Sequence, residues 1–590
     1  MSSVGIDRSG NGNNWTSNNL TQYDVMEDSP TNNFAVYDSL QTRATYGMPT
    51  LTEGNLKFTS AGVSSSWGYR ASNIEMTSGK WYAEFLCSGN NSAMIGVMNT
   101  GYYGESSYLD QNPQDNAGSF VMYMDGATYT GFKYNGGSHQ DDSIAQWNDD
   151  DIVGIAIDAD AGTAKFFVNG SLQEGITTGG TVDISAGSGD GYRFWALMPN
   201  GNPTVFTANF GQDSSFAGAK TPQGHQDGND IADFFYAPPS GYLALCAKNL
   251  PEIDVIASEN FNTVLYTGNG ADNHAITGVG FQPDFVWMKS RNAARSHALV
   301  DSVRGRGSIL FSDDSGVQQA PAAANNDLVS FDTDGFTVGT PERAGSTNEN
   351  NDTIVAWNWK AGGSASSNSN GSITSSVSAN VAAGFSIATF TLPGTVQTIG
   401  HGLSKPPELF INKGRATGSA WWTFVKPVGN TSAVRFDGTN AAGASTNFFN
   451  NTDPTSTVVT IGANTGSNNL WLMYSFHSVD GYSKVGSYIG NGLSSGPFVY
   501  CGFKPAMIIQ KRTDSADSWH ILDNKRSPFN VVDDRLYPNA TTAESTSGDR
   551  VDFISNGFKV RATNGDFNAA GGTYIFYAIA EIDFKNSTAR

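Results

Sequence analysis

The sequence of 590 residues carries 34 basic and 55 acidic residues, a formal net charge of −21, and 12% aromatic residues. At about 150 residues per domain this length predicts roughly four domains, and the aromatic content favours folded cores over disorder. The acidic balance disfavours phosphate-rich partners. We therefore expect neither nucleic-acid binding nor adhesion to an anionic membrane.

Cysteine usage and the N-terminus bear on where the chain matures. The three cysteines Cys87, Cys246 and Cys501 are far apart, which predicts no disulfide framework and no CxxC zinc site. The N-terminal MSSVGIDRSGNGNNW has no apolar h-region, and no run of 18 apolar residues occurs. We expect neither a conventional secretory signal nor membrane insertion. Release inside an assembled particle at lysis is one route by which such a chain would leave a cell.

Short apolar alternations bounded by Gly, Asn, Asp and Ser recur along the chain, and long helical periodicity is nearly absent. This pattern predicts an all-β protein of many short strands. The polar, Asn-rich residues 1–45 predict an N-terminal arm, and residues 46–215 predict one β-sandwich. In the run WYAEFLC that starts at Trp81, alternation places Glu84 on the face opposite Trp81, where we expect solvent.

Four sequence blocks follow one another within the predicted sandwich. They are GKWYAE at 79–84, IGV at 95–97, GIAIDADAGTAKFFVNG at 154–170, and Trp195 followed by FTANFG at 206–211. Together these blocks resemble the SPRY family over about a quarter of the chain. The resemblance implies a concanavalin-like sandwich of two antiparallel sheets. It also implies ligand binding through loops at one edge, without catalysis.

Residues 216–260 predict a connector between domains. The segments APPSG at 237–241 and KNLPE at 248–252 both break regular structure. We therefore expect a domain boundary in this stretch.

A repeat occupies residues 261–361 and 481–590. Matched residues all lie 222 positions apart, as in Tyr266 and Tyr488, or Phe281 and Phe503. The other matched pairs are Lys289/Lys511, Ser296/Ser518, Asp301/Asp523, Arg304/Arg526, Phe331/Phe553, Gly335/Gly557, Phe336/Phe558 and Ala356/Ala578. Agreement of this kind without a gap indicates a duplication.

A divergent third copy lies between them, at residues 383–480. The block GLSKPPELF at 402–410 matches the start of the other copies, and Trp421 stands where His297 and Trp519 stand. Residues 362–382 are rich in Gly, Ser and Asn and predict a linker. Since no such segment separates the second and third copies, we expect those two to pack tightly.

Three features within the copies carry structural predictions. The strand Phe285–Met288 is apolar throughout, which favours burial on both faces. Asp301 and Arg304 recur together, which predicts an ion pair within the domain, with a ligand contact as the alternative. A position that accepts either His297 or a tryptophan is expected to fill space rather than transfer protons.

The sequence contains no GxSxG, HExxH or P-loop motif, and its seven histidines are scattered. We therefore expect no enzymatic activity. Glycan hydrolysis would need two carboxylates flanking the scissile bond, for which Glu75, Glu84 and the run Asp149–Asp151 are candidates. The aspartate run is expected to be a solvated loop. A depolymerase remains an alternative, because such carboxylates can come from distant loops or from two subunits.

No cofactor is expected. Calcium is the most plausible metal, since acidic loops offer the oxygen ligands that hard cations take. Asp158 with Asp160, or Asp227 with Asn229 and Asp230, are the candidate ligands. Neither group matches an EF-hand loop.

Aromatic side chains in polar loops are the candidate ligand-binding residues. Large, rigid aromatic rings give contact area at low ordering cost and stack on sugar faces. Five tyrosines lie in Gly/Ser/Asn-rich surroundings between predicted strands: Tyr102, Tyr103, Tyr108, Tyr129 and Tyr134. The alternative is that they pack between the sandwich and a loop.

Further blocks span nearly the whole chain in the order arm, sandwich, connector and repeats. They are DRSGNGNNW at 7–15, DSPTNNF at 28–34, GYLALCAKNLP at 241–251 and VAWNWK at 355–360. These blocks resemble large virion proteins of marine bacteriophages, often labelled tail-fibre or lectin-like. The resemblance implies a non-enzymatic tail fibre, spike or surface protein that mediates host attachment or particle architecture.

Several expectations follow from this second resemblance. The protein would be made in the host cytoplasm and lie on the virion surface or tail. Its partners would be other virion proteins and a host cell-surface glycan or protein. A homo-oligomer is expected, most simply a trimer. The alternatives are a tail-spike glycan depolymerase and a SPRY-type peptide-binding adaptor.

Overall fold

The structure is a computed structural model. It describes residues 10–16, 32–41, 48–59, 67–89, 93–100, 119–125, 129–135, 138–141, 147–174, 179–185, 191–199, 204–251, 254–320, 323, 326–445, 448–463 and 469–581. Within these ranges no helix is long and apolar enough to cross a membrane.

The chain is all-β, as the short apolar alternations predicted. The described helices are single turns: α1 (Gly345–Asn348), α2 (Gly565–Asn568) and the 3₁₀ turns Ala247–Asn249 and Ala257–Glu259. The chain divides into two compact units, Met1–Pro251 and Glu252–Phe584.

The first unit is a sandwich of two antiparallel sheets. Its strands are β1 (Thr50–Thr52), β2 (Lys57–Thr59), β3 (Trp67–Ala71), β4 (Lys80–Ser88), β5 (Ala93–Asn99), β6 (Ser119–Asp125), β7 (Tyr129–Asn135), β8 (Ser138–Asp141), β9 (Ile152–Asp158), β10 (Thr163–Val168), β11 (Ser171–Leu172), β12 (Thr181–Asp183), β13 (Tyr192–Pro199), β14 (Val205–Asn209) and β15 (Leu243–Ala244). One sheet has the order β1-β2-β14-β4-β9-β10-β11, with β12 on β10 and β15 on β4. The other has the order β3-β13-β5-β6-β7-β8.

Aromatic rings from the two sheets meet in the middle of the sandwich. The ring centroids of Phe85 and Phe194 are 6.1 Å apart, and those of Phe120 and Phe166 are 5.4 Å apart. These residues belong to one buried apolar cluster. Burial of alternate residues from both sheets is what the apolar alternation in β4, β9 and β10 predicted.

Parts of the predicted arm and connector also belong to this unit. Ala35 and Tyr37 are fully buried in the sandwich core. In the predicted connector, Phe234 packs against Tyr82 on the outer face of the larger sheet, with centroids 4.9 Å apart. Strand β15 adds to β4 in parallel. Apolar residues of the predicted arm and connector thus cover the edge and outer face of the sandwich, and the division between the two units falls after Pro251, within the predicted connector.

The second unit holds the three copies. The strands of copy 1 are β16 (Phe261–Thr267), β17 (His274–Thr277), β18 (Phe285–Ser290), β19 (Ala298–Asp301), β20 (Leu310–Phe311), β21 (Leu328–Asp332), β22 (Gly335–Val338) and β23 (Thr353–Trp359), followed by β24 (Ser366–Asn368) and β25 (Ser375–Asn380). Those of copy 2 are β26 (Phe385–Leu392), β27 (Gln397–Gly400), β28 (Leu409–Gly414), β29 (Trp422–Val425), β30 (Ser432–Arg435), β31 (Gly443–Ala444), β32 (Val458–Ile461) and β33 (Asn469–Phe476). Those of copy 3 are β34 (Ser483–Ile489), β35 (Phe498–Tyr500), β36 (Pro505–Arg512), β37 (Trp519–Asp523), β38 (Val551–Ile554), β39 (Gly557–Val560) and β40 (Thr573–Ala580).

Each copy contains one large antiparallel sheet with the same strand order. The orders are β16-β23-β18-β19-β20, β26-β33-β28-β29-β30-β31 and β34-β40-β36-β37. In each copy the first strand therefore pairs with the last one. Each copy also has a small sheet, with the orders β17-β22-β21, β27-β32 and β35-β39-β38.

Each large sheet has two buried faces. In copy 1, Val286 and Met288 contact the small sheet of the same copy, whereas Phe285 and Trp287 belong to a core shared by all three copies. All six residues of β18 are buried, which confirms the prediction from its apolar run. A strand whose alternate residues face two different cores has no polar face.

Two repeated glycines mark close approaches between the small-sheet strands. A Cβ atom on Gly335 would lie 2.0 Å from the carbonyl oxygen of Ile276, and one on Gly557 would lie 2.0 Å from that of Val499. Any other residue would force the strands apart at this point. This explains why the duplication retains glycine there.

The predicted linker at 362–382 contains β24 and β25. Strand β25 pairs with β26 and extends the large sheet of copy 2, and β24 pairs with β25. The composition suggested a flexible segment, but edge strands are held by backbone hydrogen bonds and need few apolar side chains.

Candidate functional site

The predicted ligand-binding tyrosines fall largely outside the described residues. Tyr102, Tyr103 and Tyr108 lie in the undescribed stretch between β5 and β6. Tyr129 and Tyr134 lie on β7, near the free edge of the smaller sheet. The binding role of these five residues therefore remains a prediction.

Glu84 is fully buried, not solvated as predicted. Its carboxylate accepts hydrogen bonds from the backbone N–H groups of Phe235 and Tyr236 at 2.8 and 2.7 Å, and from Asn209 Nδ2 at 3.2 Å. Burial raises the pKa of Glu84 to about 7, against the opposing effect of these donors. Strict alternation was misleading here, because the segment after β14 covers the outer face of the sheet.

The other candidate carboxylates serve local structure. Glu75 accepts a hydrogen bond from Thr100 Oγ1 at 2.7 Å. In the aspartate run, Asp149 accepts the Gly89 N–H, Asp150 pairs with Lys220 at 2.8 Å, and Asp151 accepts the Asn148 N–H. Asp149 and Asp150 are exposed, as expected for a solvated turn.

Of the candidate calcium ligands, Asp158 and Asp227 are engaged within the protein, whereas Asp160 and Asp230 are exposed. Asp227 is buried and uses its two oxygens to accept the N–H groups of Asn229, Ile231 and Ala244 and the Asn249 side-chain amide. Asp158 pairs with Lys80 at 3.0 Å. Asp227 therefore braces the segment that leads into β15, and all of its lone-pair directions are used by donors.

A buried lysine stands at one repeated position of all three copies. In copies 2 and 3 it binds a carbonyl group of the preceding copy, whereas Lys289 of copy 1 donates to Ser290 O and Ala293 O within its own copy. Lys413 Nζ donates to Ser315 O of copy 1 at 2.8 Å, and Lys511 Nζ donates to Thr439 O of copy 2 at 3.1 Å. Burial lowers the pKa of each of the three lysines to about 8.

The aromatic position occupied by His297, Trp421 and Trp519 also lies where the copies meet. Trp421 Nε1 donates to Phe311 O of copy 1 at 2.9 Å, and Trp519 Nε1 donates to Arg435 O of copy 2 at 2.8 Å. His297 fills the equivalent position in copy 1, fully buried and accepting a hydrogen bond from Trp287 Nε1 at 2.9 Å. Burial holds the pKa of His297 well below its usual range. These rings serve as bridges and fillers between copies.

The repeated Asp–Arg pairs are buried ion pairs, as predicted. Arg304 Nε lies 2.5 Å from Asp301 Oδ2, and Arg526 Nε lies 2.6 Å from Asp523 Oδ2, with every partner fully buried. Each pair also contacts another copy. Tyr474 of copy 2 donates to Asp301 at 2.8 Å, and Trp357 of copy 1 donates to Asp523 at 3.0 Å.

Copies 1 and 3 are joined by further polar contacts, so the three copies close into a ring. Arg291 of copy 1 pairs with Glu544 of copy 3 at 2.6 Å, and Ser312 Oγ donates to Pro538 O at 2.6 Å. The shared core of this ring holds an apolar cavity of about 30 Å³. That volume has room for about two water molecules and is far below the roughly 150 Å³ of a cavity that binds benzene.

Among the described residues, one group of three metal-ligating side chains comes together. Asp517, His520 and Asp566 of copy 3 each place a ligand atom within 4.8 Å of the other two. No sequence pattern predicted this group, since the three residues come from a loop, a strand and a helical turn.

The fold therefore defines an all-β protein with a two-sheet sandwich and a closed ring of three copies joined by buried polar residues. The family model described as "Domain of unknown function (DUF7483)" matches residues 256–582, more than half of the chain. The chain belongs to the DUF7483 family. No curated protein sequence matches it.

Solved SPRY domains are weakly similar to this chain. A human SPRY domain is 17% identical and covers 28% of this chain and 94% of its own length, with a TM-score of 0.22. The TRIM65 PSpry domain is 12% identical and covers 30% and 91%, and the SPRY domain of human HERC1 is 16% identical and covers 29% and 96%. Both have TM-scores of 0.22.

Proposed function

We propose that this protein is a non-enzymatic structural protein of a bacteriophage particle, displayed on the tail or head surface. It holds binding loops on a rigid support and serves host attachment or particle architecture. Many copies on one particle would give avidity without a tight single site.

The observation that carries this proposal is that repeated residues with polar groups hold the copies together. Two of the three repeated lysines, both tryptophans and both Asp–Arg pairs are buried and bonded to a neighbouring copy. Residues retained for a reaction would instead converge on a space that admits a substrate. The duplication is therefore explained by shape, which suits a support.

The engagement of Glu84 and Glu75, two of the candidate carboxylates, supports the same function over a glycan depolymerase. Glu84 is enclosed by hydrogen-bond donors, and Glu75 is bonded to Thr100. A glycosidase acid needs access to the glycosidic oxygen. The virion origin and the attachment role are supported by the sequence resemblance to marine bacteriophage virion proteins.

The location is tested on purified particles of a phage that encodes this chain. Mass spectrometry of the particles, with antibody-gold labelling in the electron microscope, is expected to place many copies on the surface. Absence of the chain from particles that retain their other structural proteins would refute the proposal.

Attachment is tested by binding of the full-length chain to host surface polymers. The variant Tyr102→Ala/Tyr103→Ala/Tyr108→Ala is expected to lose binding, and the control Tyr242→Ala is expected to retain it. Equal binding by both variants would remove the tyrosines from the proposal. Release of new reducing ends from the polymer by the wild-type chain would favour the depolymerase instead.

The oligomeric state is a separate proposal, a homotrimer by analogy with fibre and spike proteins. Light scattering coupled to size exclusion of the full chain is expected to give three times the monomer mass of 62.7 kDa. A monomer at all concentrations would refute it.

A further inference from the structure

His520 on β37 is a buried histidine whose ring lacks hydrogen-bond partners. Its side chain is 1% exposed, and neither ring nitrogen has a partner within hydrogen-bond distance among the described residues. The ring packs between Tyr537 and Phe567, with centroids 5.3 and 4.8 Å away. Burying both polar atoms of an imidazole without partners is costly, so this ring requires an explanation.

Two carboxylates approach the ring from different elements. Asp517, in the loop before β37, places Oδ1 3.8 Å from His520 Nε2, which is too long for a hydrogen bond. Asp566 comes from α2. The ligand atoms of the three side chains lie within 4.8 Å of one another, so shifts of about an ångström would bring them to the 2.0–2.2 Å radius of a bound transition-metal ion.

The surroundings fit a metal site rather than a bare ion pair. Arg535 donates to Asp566 Oδ2 at 3.0 Å and Asn564 Nδ2 lies 3.3 Å from the same atom, while no described donor contacts Oδ1. Asp517 Oδ1 accepts the Ser518 N–H at 2.7 Å and leaves Oδ2 without a donor. Carboxylate ligands of metal ions are commonly oriented by hydrogen bonds of this kind.

We infer that Asp517, His520 and Asp566 form a binding site for a divalent transition cation of the Zn²⁺ class. Zn²⁺-class ions bind both imidazole nitrogen and carboxylate oxygen, whereas calcium and magnesium take oxygen ligands, so the histidine favours the transition ion. Three protein ligands leave one position for water. The partly exposed Asp566 gives the ion a route from solvent.

The duplication supplies an internal comparison. At the same offset of 222 positions, copy 1 has Arg295, Ala298 and Ala344 in place of the three ligands. Copy 1 therefore lacks the site. Ala298 also shows that the strand accepts a small side chain where His520 stands, which makes His520→Ala a suitable test variant.

The test uses the full-length chain stripped with EDTA, then dialysed against Zn²⁺. Wild type is expected to retain one Zn²⁺ per chain and to gain thermal stability, and the Co²⁺-loaded chain is expected to show visible d–d absorption. His520→Ala and Asp566→Asn are expected to weaken Zn²⁺ binding at least about tenfold. The control Asp552→Asn, at an exposed pair with Arg561, is expected to bind as wild type does.

Each outcome decides for or against the site. Failure of the folded wild-type chain to retain stoichiometric Zn²⁺ would overturn the inference. Retention by His520→Ala and Asp566→Asn equal to wild type would overturn it as well, since the ion would then lie elsewhere. Competition by Ca²⁺ at concentrations similar to Zn²⁺ would exclude the proposed donor chemistry. Far-UV circular dichroism of each variant separates lost binding from lost folding.

Discussion

The buried pair Asp301–Arg304 gives the sharpest test of how the ring of copies is stabilised. Both side chains are fully buried, and Arg304 also donates to Leu299 O at 2.9 Å. Removing one member leaves the other charge uncompensated, which typically costs about 3–5 kcal/mol. Replacing both by apolar residues removes the charges together and is often close to neutral.

Copy 2 contains the natural form of the double replacement. At the offset of 124 positions that relates Lys289 to Lys413, Val425 and Val428 stand where Asp301 and Arg304 stand. Val425 is buried in the shared core. We therefore expect Asp301→Val and Arg304→Val each to lower the free energy of unfolding by about 3–5 kcal/mol, and the double variant to cost less than either.

Tyr474 must be controlled for in this experiment. Its hydroxyl donates to Asp301 at 2.8 Å and accepts from Arg304 at 3.2 Å, so the double variant would leave that hydroxyl buried without partners. Measuring all four chains of the cycle in the background Tyr474→Phe removes this contribution. Urea unfolding of the full chain is followed by hydrogen-exchange mass spectrometry on peptides that contain β19. Additive losses in the double variant, or single losses below about 1 kcal/mol, would refute the reasoning.

Three further predictions follow from the described contacts. Glu84→Gln is expected to destabilise the sandwich unit by about 1–3 kcal/mol and to speed hydrogen exchange at Phe235 and Tyr236. The reason is that the N–H groups of these two residues bind the two carboxylate oxygens, whereas an amide has one acceptor oxygen. Unchanged exchange would contradict this prediction. The pKa of Glu84 is about 7 in the folded chain against 4.5 for the free side chain, so between these pH values the native state binds more protons than the unfolded state. The contribution of Glu84 to stability therefore falls as pH rises from about 4.5 to 7. Denaturation midpoints of Glu84→Gln are expected to lack this trend. Lys289, Lys413 and Lys511 have pKa values of about 8 in the folded chain against 10.5 for the free side chain, so between these pH values the unfolded chain binds more protons. Their contribution to stability therefore increases as pH rises above 8. Lys413→Met is expected to reduce the slope of stability against pH between about pH 8 and 9.5, and an unchanged slope would contradict this.

The sequence alone was sufficient to predict many of the strands and the duplication. The alternation around Trp81 and the apolar run at Phe285 both correspond to strands, Lys80–Ser88 and Phe285–Ser290. Matched residues 222 positions apart occupy equivalent strands, as Lys289 on β18 and Lys511 on β36 do. Such features depend on local patterns and on similarity between segments of one chain, which the letters record directly.

The errors arose where one face of an element is covered from far along the chain. Glu84 was expected in solvent because alternation assigns one face to the core and the other to water. In this chain Phe235 and Tyr236, about 150 positions later, bring the donors that enclose it. The strand Ser375–Asn380 was missed for a related reason, since its pairing with β26 depends on backbone groups rather than on apolar side chains.

Comparing the three copies distinguishes positions that all copies share from positions where one copy differs. A lysine stands at Lys289, Lys413 and Lys511. Lys413 and Lys511 bind carbonyl groups of the preceding copy, so this position follows the way the copies pack together. The ligand group at His520 occurs in copy 3 and is replaced in copy 1 by residues that cannot bind a cation. A duplicated unit is free to acquire such a group once its neighbours stabilise the ring. Ligand sites are therefore to be sought at positions where the copies differ, and the Zn²⁺ measurement on His520→Ala is the first of these tests.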